Sequence, residues 1–261
     1  MIQVGDFALD AVIWRYLPSL RFQQLVRFNA LWFSKLQHFA DVEEGLTPHV
    51  TRIELKRQHQ EMEKWFPDEE RKRQVRQFVE SGDDDGRELI VANCWFISDH
   101  ESQEMWDAFG KDDEGVAVRS NIAALTRSLD LRQPRWWIGK VQYIDPTTYA
   151  SMNAYEGSQA ALRAFLKNAK YNYENELRVA AMNYVVPGCL NPDGSPPTSH
   201  QLAGYYYSPD RRGIYVTVDL SVLISEIRTS PKASENYRTK VQQLLRNVGC
   251  AAPVLRSELA L

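Results

Sequence analysis

The chain has 261 residues, 44% hydrophobic and 25% charged, proportions of a folded protein with one large core. Its formal net charge of −3 at pH 7 sets up no general field toward nucleic acid or an anionic membrane face. Cys94, Cys189 and Cys250 are few, odd in number and far apart, which argues against a disulfide framework and a zinc cluster and fits a reducing compartment.

The opening "MIQVGDFALDAVIW" carries Asp6 and Asp10 with no basic stretch before an apolar run, so it does not read as a signal peptide. No apolar stretch approaches the roughly 18 to 20 residues needed to span a bilayer. A cytoplasmic protein without membrane contact is the expectation, organised as a single domain over residues 1–261.

"AVIWRYLPS" predicts a strand closed by Pro18. "SLRFQQLVRFNALWFS" predicts a helix with Leu20, Leu25, Phe28 and Leu31 near helical spacing, then a second strand. Residues 54–80, "ELKRQHQEMEKWFPDEERKRQVRQFVE", are dense in charge with sparse apolar anchors, and Pro67 divides them into two helical pieces. This segment reads as an excursion from the core and a candidate protein-binding arm.

"LIVANCWFIS" is a buried strand by its β-branched and aromatic content, "HESQEMWDAFG" a helix ending near Gly110, and "GVAVRS" a strand turning at Asn121 into a short helix. "WWIGKVQYID" predicts a strand and "SQAALRAFLKNAK" a long helical stretch. "VVPGCLNPDGSPPTSHQLAG" is an irregular loop. "GIYVTVDL" and "LISEIRTS" follow as strands, "SENYRTKVQQLLRNVG" as a capped helix and "APVLRS" as a last short strand. Strands and helices mix without regular β-α-β spacing, so the fold class is α+β, with mixed, largely antiparallel sheets and helices around them.

"YNYENELRVAAM" holds Glu174, Glu176 and Arg178 at every second position. In a strand these three leave one face while Leu177, Val179 and Ala181 leave the other. If that face meets water, the arrangement is a solvated strand with a weak ion pair. If it lines a cleft, the two carboxylates repel each other and acid–base chemistry becomes available.

Other chemistries find less support. His38, His49, His59, His100 and His200 show no metal-ligand spacing, so no metal is expected. Cys94 lies inside an apolar strand, where burial raises its pKa and blunts it as a nucleophile. No phosphate-cradling glycine loop occurs. "RQPRWWIGK" joins Arg132, Arg135 and Lys140 to Trp136 and Trp137, a pattern for base stacking or equally the start of a buried strand, and it is no strong nucleic-acid signal.

The order "WRYLPS", "LWFS", "CWFIS", "MWDAFG", "GVAV", "GKVQYID", "KNAKYNYENELRV", "IRTSPKAS" and "VLRS" resembles the bacterial family catalogued as domain of unknown function 2971. The block Lys170, Tyr173, Glu174, Glu176 and Arg178 is its most specific part, supported by Met105, Trp106 and Gly115. Where that family usually reads asparagine, aspartate and proline after the second strand, this chain has "FADVEEG", and Phe109 stands where a tyrosine is common.

More distantly, Arg15 ending a first strand, Ser98 ending a middle strand and Glu174 with Glu176 later is similar to the arginine, serine and glutamate-x-glutamate order of ADP-ribosyltransferases. That resemblance implies an NAD-consuming transferase, a bacterial toxin or defence effector, acting on an unknown acceptor or water. It implies Glu176 stabilising an oxocarbenium-like state, Glu174 orienting or deprotonating the acceptor, Arg15 gripping the pyrophosphate and Ser98 positioning Glu176. Tyr173 and Phe33, with Trp32 and Tyr171, would stack on nicotinamide. The alternative is a non-enzymatic interaction or regulatory protein of the same family.

Overall fold

The computed structural model describes residues 1–66, 68–74, 76, 87–88, 90–110, 113–129, 136–149, 160–182, 205–207 and 212–259. It is a mixed α+β fold built on one broad, mostly antiparallel sheet. The main path runs β1 (Ile2–Val4), β6 (Trp136–Lys140), β9 (Glu176–Met182), β4 (Ile90–Ile97), β2 (Val12–Leu17), β5 (Val116–Asn121), β12 (Glu226–Thr229) and β13 (Val254–Arg256), with β3 (Ala30–Lys35) beside β4, β11 (Gly213–Thr217) beside β3 and β10 (Tyr205–Tyr207) beyond β11. The edge pairings β1–β6 and β12–β13 are parallel.

Local chemistry sets the element boundaries. β1 is Ile2–Val4 and β2 is Val12–Leu17, whose β-branched and aromatic residues suit an extended chain. Pro18 fixes the entry to α1, Ser19–Phe28, and Asn29 ends it in the left-handed conformation with its N–H on the Leu25 carbonyl. β3 (Ala30–Lys35) leads through a 3-10 turn at Leu36–His38 to α2, His49–Glu63. β4 is Ile90–Ile97 and α3 is Gln103–Phe109, capped by the Ser102 hydroxyl. β5 (Val116–Asn121) passes into α4 (Ile122–Ser128) with Asn121 as its cap.

β6 (Trp136–Lys140) and β7 (Gln142–Ile144) divide at Val141 the strand expected over "WWIGKVQYID". Of the long helix expected over residues 158–170, the described residues 160–170 form only one turn, α5 (Ala160–Arg163), and then β8 (Leu166–Asn168), which pairs in parallel with β7. A 3-10 segment, Ala169–Glu174, precedes β9, Glu176–Met182. β10 (Tyr205–Tyr207), β11 (Gly213–Thr217), α6 (Leu220–Leu223), β12 (Glu226–Thr229), α7 (Glu235–Asn247) and β13 (Val254–Arg256) complete the order. The irregular loop expected over 185–204 lies outside the described residues, as does the end of the 54–80 segment. α2, which leads into that segment, buries only Thr51 ahead of it, and within the segment Met62 and then Trp65 are exposed.

One face of the sheet carries the main core. Leu177, Val179 and Ala181 of β9, Val91 and Trp95 of β4 and Ile13 and Leu17 of β2 pack there with α1, α4, α6 and α7. Trp136 belongs to this core, edge-on to Phe33 with ring centroids 5.3 Å apart, so the tryptophan pair of "RQPRWWIGK" opens a buried strand. The opposite face has two smaller apolar clusters, one around Trp14, Tyr16, Phe96 and Trp106 and one around Leu36, Ala92, Phe165 and Ala180. Cys94 sits between them on β4, since residues two apart share a face.

β4 changes partner along one edge. Ile97 and Phe96 pair with Ile13 and Trp14 of β2, whereas Ala92 and Val91 pair with Ser34 and Lys35 of β3. At Asn93 and Cys94 the two neighbours fork, and side chains take over the bonding. Arg15 Nη1 donates to the Cys94 carbonyl at 3.0 Å and its Nη2 to the Trp32 carbonyl at 3.5 Å. Asn93 Nδ2 donates to the Trp32 carbonyl at 2.8 Å.

Candidate functional site

A cavity of about 290 Å³ opens on the second face, between its two apolar clusters. Arg15, Glu44, Cys94, Lys167, Glu174 and Glu176 line it among aromatic walls that include Trp14, Phe39, Phe96, Phe109 and Tyr171. Its size is near the lower end of small-molecule sites, roughly 300 Å³ and upward.

The acidic face is enclosed. Glu174 and Glu176 are buried, and Arg178 is wholly so. This excludes the solvated strand. Glu174 does not share the strand, because the 3-10 segment ends on it and Asn175 adopts the left-handed conformation, φ 33°, before β9 starts. Asparagine tolerates that region better than most residues. Its side-chain Nδ2 donates to the Ile97 carbonyl at 2.6 Å and its own carbonyl accepts from Ile97 N–H at 2.9 Å, which pins the corner to the end of β4. Glu176 and Arg178 do leave one face of β9, as alternation requires.

Lys167 and Arg178 hold the acids together. Lys167 Nζ lies 2.6 Å from Glu174 Oε2 and 3.2 Å from Glu176 Oε2. Arg178 Nη2 donates to Glu176 Oε2 at 2.7 Å and also to Glu44 Oε1, while its Nη1 donates to the Ala164 carbonyl at 2.6 Å. Both cations take Oε2 of Glu176. Phe39 lies beneath the Arg178 guanidinium at 5.4 Å and Tyr171 beneath the Lys167 ammonium at 5.0 Å.

These surroundings separate the carboxyls. Burial pushes Glu176 up, but Arg178 and then Lys167 outweigh it and hold the group down at about 2. Burial raises Glu174, and the Glu176 charge adds to it. Burial also raises Glu44 against the pull of Arg178. The cluster therefore offers one firmly ionised carboxylate and two neighbours that hold a proton more readily. Burial raises the Cys94 thiol, so it is no nucleophile at neutral pH.

Arg15 differs from the other cations. Its bonds go to two carbonyls, and among the described residues no carboxylate stands within ion-pair distance of it. Burial, and then the Arg21 charge, lower its pKa to about 10, still far above neutrality. A fixed guanidinium without a counter-ion beside a cavity suits an anionic ligand.

Four expected site residues stand elsewhere, among them Trp32, which lines a separate hollow with Arg21 and Tyr215. Phe33 is wholly buried in the main core, because alternation along β3 turns it from the cavity. The Ser98 hydroxyl accepts from His100 N–H at 3.1 Å in the turn after β4, and Glu176 takes its bonds from Lys167 and Arg178 instead. Tyr173 points outward, 47% exposed, and Tyr171 is the tyrosine on the wall. Sequence reading missed Lys167 and Glu44. Glu44 comes from the very "FADVEEG" stretch that departs from the resembled family.

Asp41, from the same stretch, lines the cavity and a second hollow of about 510 Å³ on the far side of Glu44 and Lys167. Among the described residues no group of three or more His, Cys, Asp or Glu side chains is placed to hold a metal ion, and no helix is long and apolar enough to cross a membrane.

No family model matches the chain, and no solved structure matches it. Over 149 residues, 56% of its length, the chain is 24% identical to the DNA-directed RNA polymerase subunit beta' of Sulfurimonas denitrificans. That match spans only 10% of the polymerase subunit and assigns no family.

Proposed function

We propose that the cavity binds the nicotinamide-ribose end of NAD and that the protein is an ADP-ribosyltransferase-like enzyme. The observation that carries this reading is the joint placement of Arg15, which has no carboxylate partner among the described residues, and Glu176, whose carboxyl Arg178 and Lys167 hold ionised at neutral pH, on one aromatic-walled cavity. The resemblance of the arginine and glutamate-x-glutamate order supports it.

In the reaction the bond between ribose C1′ and the nicotinamide nitrogen breaks, and both its electrons go to the ring, which leaves neutral. The cation left on C1′ and the ring oxygen develops beside Glu176, whose fixed negative charge lowers the barrier. The acceptor, a hydroxyl, an amine or water, attacks C1′ and gives up a proton, which Glu174 takes. Arg15 meets the pyrophosphate, and Tyr171 and Phe39 offer faces to the nicotinamide.

The test measures nicotinamide release from millimolar NAD by the native protein and by Glu176→Gln, with circular dichroism verifying that each is folded. Release by the native protein and a loss of about a hundredfold or more in the variant is the expected result. Equal rates, or no release by the native protein and no rise in its melting temperature with NAD, overturn the reading.

A second reading, contact with a protein partner through residues 54–80, draws on the exposed Met62 and Trp65. It predicts partner capture that is lost on deleting the segment and is independent of NAD.

A further inference from the structure

The hollow of about 510 Å³ lies between residues 41–47, the start of α2 and the paired strands β7 and β8. Asp41, Glu44 and Lys167 form the wall it shares with the site cavity. His49 N–H donates to the Pro146 carbonyl at 3.2 Å and ties α2 to the chain after β7. Asp41 and Glu44 are only 6% and 2% exposed, whereas Glu43 and His49 are exposed at the rim.

The cations at this hollow are already engaged. Lys167 is held by Glu174 and Glu176, and Arg52 Nη2 donates to the Thr47 carbonyl at 3.0 Å. The acids are only half satisfied. Asp41 Oδ1 accepts from Glu43 N–H at 3.1 Å, but Asp41 Oδ2 is buried with no hydrogen-bond partner. Glu44 gives Oε1 to Arg178, and among the described residues nothing donates to its Oε2.

A buried carboxylate oxygen without a donor bears the desolvation cost of a charged group, and a ligand N–H beside it removes that cost. The described carboxylates here do not converge as a metal site would require. An ammonium needs no such convergence, because its three N–H donors reach separate acceptors. Leu46, Pro48, Ile144 and Leu166 make much of the remaining lining apolar, which suits an alkyl chain. The volume lies within the range of small-molecule sites, roughly 300 to 1,000 Å³.

We propose that this hollow binds a small aliphatic primary amine, its ammonium at Asp41 Oδ2 and facing Glu44, its chain along Leu46, Ile144 and Leu166. The site stands apart from the NAD reading of the larger cavity and needs no nucleotide.

Nuclear magnetic resonance titration of the native protein with hexylamine, hexanol and hexanoate tests this. Hexylamine is expected to shift the backbone amides of residues 41–47 and 166–168 and to bind at least about tenfold more tightly than hexanol, with hexanoate the weakest. Asp41→Asn keeps the side-chain shape and the acceptor for Glu43 N–H. It is expected to weaken hexylamine about tenfold and leave hexanol within about twofold.

No hexylamine binding, equal binding of hexylamine and hexanol, or preference for hexanoate overturns the site, and these outcomes are read on the native protein whether or not the variant folds. Tighter binding of N-acetyl-lysine methylamide than of hexylamine overturns the assignment to a free amine. The titrations contain no NAD, so amine binding without nicotinamide release removes the proposed reaction and keeps this site. Nicotinamide release without amine binding does the reverse.

Discussion

Lys167 Nζ stands 2.6 Å from the Glu174 carboxylate, deep enough that both side chains are almost wholly withdrawn from water. A second acid, Glu176, lies 3.2 Å from the same ammonium. Such a cation neutralises a repulsion that the strand corner itself creates, so its removal has a calculable sign. In Lys167→Met the carboxylates face each other, Glu176 keeps Arg178, and Glu174 takes up a proton. Urea unfolding at pH 7 should show a loss of about 3 kcal/mol. Part of it should return at pH 5, because a carboxyl whose pKa is raised on folding stabilises the native state as pH falls.

Glu176 has the opposite linkage. Its folded-state value of about 2 lies below an unfolded value of about 4.3, so its contribution is full above the unfolded value and lost as pH falls toward 2. The shift corresponds to about 3 kcal/mol at neutral pH. The stability gap between native protein and Glu176→Gln should therefore narrow steadily from pH 5 to pH 2. A gap unchanged over that range would show that the carboxylate is not held ionised.

Asn175 sets the corner between the two acids. Asn175→Gly keeps the left-handed backbone and loses the bond to Ile97, at a cost of about 1 kcal/mol. Asn175→Ala loses the bond and strains the backbone by roughly 1 to 2 kcal/mol more. Melting temperatures should rank native, glycine, alanine in descending order.

Gly139 on β6 meets the edge strand β1 so closely that an added Cβ would lie 2.5 Å from the Val4 carbonyl oxygen and 2.8 Å from Val4 Cβ. Gly139→Ala should destabilise by about 1 to 3 kcal/mol and speed deuterium exchange at residues 2–4 while leaving β9 protected.

The sequence exposed those parts of this architecture whose causes are local. β2, α1 and β3 follow from the "VIW" run, Pro18 and the apolar spacing, and α7 from its Ser234 cap, all decided within a few residues. The expected helix over 158–170 failed because tertiary packing outweighed propensity. Residues 166–168 pair with β7, Phe165 packs on Gly139, and Lys167 is drawn into the acids. Period-two spacing disclosed Glu176 and Arg178, but nothing in spacing could join Arg178 to Glu44, 134 residues away. Phe33 and Ser98 were misjudged for a related reason. Residue type and strand-end position were right, and the face or the turn was decided by neighbours.

The fork beside β4 has one more implication. Because Arg15 is bonded to carbonyls on both branches, its rotamer is selected when the chain folds. If Arg15 meets a phosphate as proposed, the ligand does not have to freeze that side chain, so the roughly 0.5 to 1.5 kcal/mol that immobilising a flexible side chain ordinarily takes from binding is already met. Lysine at this position, with a single ammonium instead of a fork, would either leave one branch unstitched or greet the anion as a loose tether.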